Sequence, residues 1–568
     1  MYNLLQLLFF YSILTNGCLT HIAQDDDSPT ICIESATCFR GAWIGGSGIS
    51  KFASFQGIRY AKPPIDDLRF KAPQMYHYSE EMIDVSNFSE VFCSQLDFNS
   101  GMVLGQEDCL VLNVYVPDSV FSNPQIKIPV MVWIYGGALV SGSNLYLDYG
   151  PLHFVSNEVI VVTINYRLGP LGFLSMGTEY VPGNAGLFDQ SLALKWVNYN
   201  IDSFGGDPNS VTIFGESAGS LSVALHLISP ISERLFNKAI LQSDSALGPS
   251  WGLITPQHAL QFADKFYKSL GCEEMEHVLK CIQKKDVSEI LELTDLVENA
   301  VVWMAVPDYN FTSNPFLPGD VEQLMSDGQF NKDIEVIIGR TADEGMLSLF
   351  EQLLDPTKWE DFKNNFDTIG VQSLFSIPYA SEITADDVTR AHQLIEYYVG
   401  SMDNINADHK QGLINMFTDS EQGYGNYKTV NYLIKHGITV YQYILTYQGE
   451  YSFSQLFGIQ PLGVCHADDL MYLWDPVVQS GIFGPSDIIG PLNKEDASVR
   501  RMMTTAWTNF AKYGDPTPPN SGLTWTPQEP NSDQQFWNIS GPEPLMSTNE
   551  KIQERLLLWD QIMENSPK

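Results

Sequence analysis

The sequence predicts an α/β protein built on one mostly parallel, twisted sheet with helices on both faces. Two observations predict it. Short β-branched runs recur along the chain, at Ile128–Tyr135, Val159–Tyr166, Val211–Phe214, Ala239–Gln242, Ile334–Ile338 and Thr439–Thr446. Continuous apolar runs of this kind suit strands buried on both faces. Between them lie segments with helical spacing: Asp189–Asn200, with Leu192, Trp196 and Val197 on one side, then Ser217–Ile228 and Ser498–Tyr513. Strand–helix alternation favours a parallel sheet covered by helices. The interval from about 345 to 435 reads as mainly helical and polar, an insertion over an edge or mouth of the sheet. Length alone would allow two to four domains. With no repeat, low-complexity tract or linker, one large domain over residues 28–568 is expected instead.

The bulk composition narrows the function. Hydrophobic content of 44% against 17% charged residues reads as globular. A net charge of −37 repels phosphate backbones, so nucleic-acid binding is disfavoured. The apolar run Leu4–Leu14, followed by small and polar residues, is too short for a membrane span and resembles the core of a signal peptide covering about residues 1–18, although no Lys or Arg precedes it. The C-terminal end shows neither a GPI-type tail nor an ER-retention ending, so a secreted, extracellular protein with no membrane span or lipid anchor is expected. Eight cysteines without nearby zinc-type partners fit disulfides in an oxidising compartment. Sequons at Asn87, Asn310 and Asn538 are candidate glycan acceptors.

The chemistry concentrates in Gly215-Glu-Ser217-Ala-Gly219, which fits G-x-S-x-G and lies between a strand-type run and a helix-type run. A sharp strand-to-helix turn forces the serine into strained backbone geometry, and side chains at the flanking glycines would collide with strand and helix. The following helix directs its N-terminus at the site, favouring negative charge there. A serine nucleophile needs a base, and the base needs an orienting carboxylate. On this architecture the chain order is serine, acid, histidine, with functional groups on loops after strands. Asp343 and Glu344 follow the strand through Ile338, which is expected to end at Gly339. Of the later histidines, His392 sits in a helix-like stretch, His409 in a polar connector and His436 before a strand, leaving His466 the best placed. Gly136-Gly137-Ala138, after the strand ending at Tyr135, and Ala218 offer backbone N–H groups for an oxyanion. Asp468 and Asp469 read as a solvated or structural pair rather than a metal site; no metal and no cofactor are expected.

With those residues in hand, the chain resembles the type-B carboxylesterases, the carboxylesterase–cholinesterase group of α/β-hydrolases. "FGGDPNSVTIFGESAG" is similar to the family's serine signature. "EDCLVLNVYVP" is similar to its second signature, with Val111 where Tyr or Thr is more usual; "FQGIRYAKPP", "LRFKAP", "INYRLGPLGFL" and "NAGLFDQSLALKWV" resemble its framework. The resemblance covers residue 28 to the C-terminus. It implies the α/β-hydrolase fold with large helical insertions, Ser217 as nucleophile, Glu344 rather than Asp343 as acid, His466 as base, and an oxyanion hole from Gly137, Ala138 and Ala218, with Gly136 shaping the turn. It also implies disulfides Cys93–Cys109 and Cys272–Cys281 and structural ion pairs Arg69–Glu107 and Arg167–Asp189, leaving Cys32, Cys38 and Cys465 unassigned.

Departures from the family pattern fall near the site. Ala138 replaces the third glycine often seen there, Asp244 stands where glycine is usual, and the Cys93–Cys109 loop has Phe98 as its only aromatic, lacking the tryptophan with which cholinesterases hold a choline cation. The expected function is a secreted serine carboxylic-ester hydrolase acting on a small-molecule ester through an acyl-enzyme. The alternative is a catalytically silent, cholinesterase-like adhesion or ligand-binding protein; such relatives usually lose a triad member and carry a membrane stalk.

Overall fold

A computed structural model of the chain describes residues 28–46, 49–97, 100–250, 252–273, 277–294, 302–475, 492–518 and 522–564. The leader, Cys18 and Phe98 lie outside the described residues. The centre is an 11-stranded sheet. Its strands are β1 (Ala42–Gly46), β2 (Ile49–Arg59), β3 (Val111–Pro117), β4 (Ile128–Ile134), β5 (Ile160–Ile164), β6 (Gly206–Glu216), β7 (Lys238–Gln242), β8 (Glu335–Thr341), β9 (Thr439–Leu445), β10 (Gln535–Ile539) and β11 (Leu545–Thr548). Across the sheet they run β1-β2-β3-β5-β4-β6-β7-β8-β9-β10-β11. The block from β5 to β10 is parallel, flanked by antiparallel pairs at both ends. Every residue of β3, β5 and β7 is buried, as the apolar runs require for strands covered on both faces.

Chain order breaks beside β4. The chain leaves β4 toward β5 on one side, while β6 pairs on the other. A crevice at the carboxyl ends of strands forms at such a switch point. The loop after β4 carries Gly136–Ala138, and the turn after β6 carries Ser217. One expected boundary is corrected: β8 does not end at Gly339 but continues through Thr341, with Gly339 opposite Tyr443 of β9. A Cβ at Gly339 would lie 2.1 Å from the Tyr443 ring. The glycine therefore admits that ring to the core rather than ending the strand.

The predicted insertion is present and helical, including Lys358–Asn364, Ala385–Val399, Lys410–Thr418 and Tyr424–Lys435. The Ala385–Val399 helix has both expected punctuation marks. Thr384 and Asp387 form a capping box at its start, and Gly400 at φ +88° closes it. Two hydrophobic cores result among the described residues. The larger packs on the sheet; the second contains Met346, Phe366, Leu394 and Phe417 of the insertion with Trp559 of the C-terminal helix Glu550–Glu564.

Covalent and ionic ties hold the body. Disulfides join Cys93 to Cys109 and Cys272 to Cys281, as the resemblance implied, and Cys32 to Cys38, whose pairing the sequence left open. Cys465 is a buried free thiol. Arg167 grips Asp189 through two guanidinium N–H donors, each at 2.7 Å, and Arg69 grips Glu107 at 2.6 and 2.5 Å. Asn87 and Asn310 are exposed. Asn538 is half-buried in β10, where its Oδ1 accepts the Thr446 hydroxyl. No helix of the described residues is long and apolar enough to cross a membrane.

Candidate active site

Ser217 stands between β6 and the helix Ala218–Ile228, at φ +58° and ψ −127°. That is backbone an L-residue rarely adopts, and it persists only where surroundings over-determine it. The flanking glycines supply the constraint. A Cβ at Gly219 would sit 2.0 Å from the Ile134 carbonyl oxygen, and one at Gly215 would sit 2.5 Å from the Gly219 carbonyl carbon. The Ser217 N–H donates to the Gln242 carbonyl at 2.9 Å, tying the turn to β7.

Glu344 and His466 arrive from loops after β8 and β9 and meet at the same end of the sheet. His466 Nδ1 is 2.6 Å from Glu344 Oε2, and the Thr341 N–H donates to Glu344 Oε1 at 2.7 Å. Glu344 is wholly buried. Burial pushes its carboxyl upward, but the charge and hydrogen bond of His466 outweigh that and hold it below the ordinary value. Asp343 is turned elsewhere, accepting the N–H of Val464 at 2.9 Å. The other histidines are remote from this pair: His392 contacts Asp367, His409 contacts Asn406, and His436 contacts the Ser326 carbonyl.

The other ring nitrogen has a partner that sequence reasoning did not assign. His466 Nε2 lies 3.1 Å from Oε1 of Glu216, the residue just before the serine. Among the described residues no hydrogen bond joins Ser217 Oγ to His466. Burial lowers the affinity of His466 for a proton, but Glu216 and Glu344 more than reverse this, and its pKa is raised to about 10. Glu216, buried as well, is pushed up to about 8 by desolvation, with His466 opposing. The position of Glu216 inside the motif was visible; its contact with the imidazole depends on how β6 and the later loop meet.

Gly136, Gly137 and Ala138 form the facing wall. A Cβ at Gly136 would come 2.6 Å from the Glu216 carbonyl oxygen, and one at Gly137 would come 2.3 Å from the Ser141 carbonyl oxygen. Ala138 sits at φ +54°, the left-handed region that favours glycine. Among the described residues, no acceptor engages the N–H of Gly137 or Ala138. Ala218 is the first residue of its helix, where the N–H has no intrahelical partner.

Asp244 is buried, and its Oδ1 accepts the Ser245 N–H at 2.5 Å. Desolvation raises its carboxyl well above the ordinary value. It does not line the cavity in front of Ser217. Asp468 and Asp469 are buried and structural rather than solvated. Asp468 accepts the N–H groups of Phe453 and Cys465, at 2.6 and 2.8 Å, while Asp469 accepts from Gln242 and Tyr443, at 2.7 and 3.0 Å.

Ser217, His466 and Gly136–Ala138 open onto one cavity of about 870 Å³. Its walls come from the sheet loops, from the insertion through Leu347, Phe375 and Ile377, and from the 453–457 turn. Several known proteins are similar to the chain. It is 35% identical over 517 residues to a juvenile hormone esterase of Tribolium castaneum, covering 85% of this chain and 84% of that protein. It is 34% identical over 504 residues to esterase FE4 of Myzus persicae, covering 85% and 84%. It is 30% identical over 558 residues to an acetylcholinesterase of Bungarus fasciatus, covering 89% and 86%. The crystal structure of juvenile hormone esterase from Manduca sexta, with OTFP covalently attached, superposes with a TM-score of 0.80 at 26% identity, covering 95% of this chain and 100% of that one. Residues 35–555 match the Carboxylesterase family, so the strand-to-helix serine turn and the carboxylate–imidazole pair occur in a chain that belongs to that family of ester hydrolases.

Proposed function

We propose that the chain is a secreted serine esterase that works through an acyl-enzyme on Ser217. The observation that carries this reading is that Ser217 and His466, from two strand ends, line one cavity, while Glu344, buried behind them after a third strand, holds His466 Nδ1 at 2.6 Å. In the reaction, Nε2 of His466 turns from Glu216 to the serine and takes its proton while Oγ attacks the ester carbonyl carbon. Glu344 fixes the tautomer and stabilises the imidazolium. The N–H groups of Gly137, Ala138 and Ala218 receive the oxyanion, and Gly136 keeps that loop against the elbow. The alcohol leaves with the proton from Nε2. Water then adds to the acyl carbonyl with His466 again as base, and Ser217 is released with the acid. Each step proceeds on the chain's own groups.

The cavity walls, with Leu253, Ile254, Met304 and Phe375 among them, favour an uncharged ester with sizeable apolar groups. Secretion is supported by three disulfides and by the apolar leader-type run at residues 4–14. Asn87 and Asn310, both exposed, are the favoured glycan acceptors, ahead of Asn538. Retention of all three reacting side chains favours the hydrolase over a silent adhesion or ligand-binding module. An organophosphonate should add covalently to Ser217 and abolish hydrolysis of a short-chain ester, and Ser217→Ala should lose both label and turnover. A folded wild-type protein that takes the label elsewhere, or not at all, would overturn the assignment.

A further inference from the structure

The insertion contributes a polar feature to the cavity that the ester chemistry does not use. Residues Asp419–Gly423 form a single π-helical turn between the helices Lys410–Thr418 and Tyr424–Lys435. Such turns recur at functional sites. Two of its residues are anchored away from the cavity. Asp419 accepts from Tyr398 at 2.5 Å and pairs with Arg555 at 2.7 Å, while the Ser420 hydroxyl donates to the Leu374 carbonyl at 2.8 Å. The next two, Glu421 and Gln422, line the same cavity as Ser217 and His466.

Both are nine-tenths or more buried, at 6% and 1% exposure, and each has a polar atom without a partner. Glu421 Oε1 accepts the Ser348 hydroxyl, but Oε2 has no hydrogen bond; neither does Gln422 Oε1. Elsewhere on the cavity wall, Leu347 and Phe375 carry no polar side-chain atom. Leaving a buried polar atom unmatched is unfavourable, and a ligand group that matches it gains selectivity over one that does not.

We propose that Glu421 and Gln422 are specificity-determining residues that recognise an uncharged hydroxyl group on an otherwise apolar ester, an inference that rests on the esterase reading above. A hydroxyl both accepts and donates, so it can accept a hydrogen bond from a protonated Glu421 carboxyl or donate one to the Gln422 amide oxygen. The protonation state of the acid fits this. Burial pushes Glu421 up to about 8, with the Ser348 hydrogen bond and His466 opposing, so at pH 7 most molecules hold a proton on this carboxyl. An ammonium group would instead require the ionised form.

The test is a matched set of esters identical except for one position: hydrogen, hydroxyl, methoxy or primary amine, varied in turn on the acyl and alcohol sides. On one of the two sides, kcat/KM for wild type should favour hydroxyl over hydrogen by about tenfold, with methoxy between, because one good hydrogen bond is worth about that much. In Glu421→Leu the hydroxyl-to-hydrogen ratio should collapse toward one, and Glu421→Gln, which keeps a donor, should retain part of it. Equal wild-type rates for hydroxyl and hydrogen esters on both sides would overturn the proposal, as would an amine ester outpacing the hydroxyl ester. The same ratio read as competitive binding of the esters to Ser217→Ala, by calorimetry, does not depend on turnover. If wild type hydrolyses none of the esters, the esterase reading fails; if it hydrolyses all of them without discrimination, only this inference fails.

Discussion

The serine turn and the helical insertion face each other across one cavity, and they are built on opposite principles. The turn is local. Five consecutive residues, two of them glycines with no room for a Cβ, fix Ser217 in strained backbone against β4 and β7. The insertion is collective. Residues Leu347, Phe375, Glu421 and Gln422 are scattered along the chain and reach the cavity because a second core beneath them, around Phe366, Phe417 and Trp559, holds their helices in place. The difference separates chemistry from choice. A bond-breaking constellation tolerates little displacement and is set on strand ends, whereas a substrate wall can be remodelled while the sheet stays as it is.

Substitutions on the two sides should therefore behave differently. The largest effect is expected at Glu344. In Glu344→Gln an amide N–H2 facing Nδ1 would favour the wrong tautomer of His466, and kcat should fall about 10⁴-fold for every ester alike, measured by steady-state kinetics on at least two substrates. A loss confined to one substrate would break the separation. Next comes Gly219→Ala. Its methyl would meet the backbone oxygen of Ile134 at 2.0 Å, so unfolding stability should drop by about 3 kcal/mol in denaturant titration, with activity lost even in the folded fraction. On the insertion side, Phe375→Ala should leave the fold intact and raise kcat/KM for bulky esters relative to small ones by about tenfold, since it enlarges the wall without touching Ser217.

The smallest effect concerns pH. In the proposed reaction His466 must be neutral to act as base, and the carboxylates of Glu216 and Glu344 raise its proton affinity against the opposing effect of burial. Removing the Glu216 charge in Glu216→Gln lowers that affinity. The acidic limb of the kcat/KM profile should then move to lower pH, with the plateau less affected than in Glu344→Gln. A limb that stays in place would show that the 3.1 Å contact with Nε2 does not set the titration.

The same division decides what could be read from the sequence. The parallel sheet was legible because β4, β5, β7 and β9 are apolar runs whose burial follows from composition. Ser217 was legible because its constraint lies within five residues. His466 and the pair Asp343–Glu344 followed from chain order and loop position, while the choice of Glu344 and the bridges Cys93–Cys109 and Cys272–Cys281 came from the resemblance. Gly339 misled, because its purpose is to admit the Tyr443 ring from the next strand, a contact invisible in a linear reading. Glu216 was visible but unassigned, since its role depends on a histidine far along the chain. Glu421 and Gln422 gave no signal, lying in a polar helical stretch where only the fold shows that two side chains face inward. Asp468 and Asp469 were read as solvated or structural, and only the packing around Gln242 and Tyr443 selects between those choices.

The two cores also bear on how the molecule fails when heated. The second core draws Ile552, Leu556 and Trp559 from the C-terminal helix, whereas the elbow stands on the first. Loosening of that terminal helix would slacken the substrate wall before it reached the serine. A warmed sample should pass through a stage in which it still cleaves small esters but no longer distinguishes among large ones, so that selectivity serves as an earlier thermometer of damage than activity does.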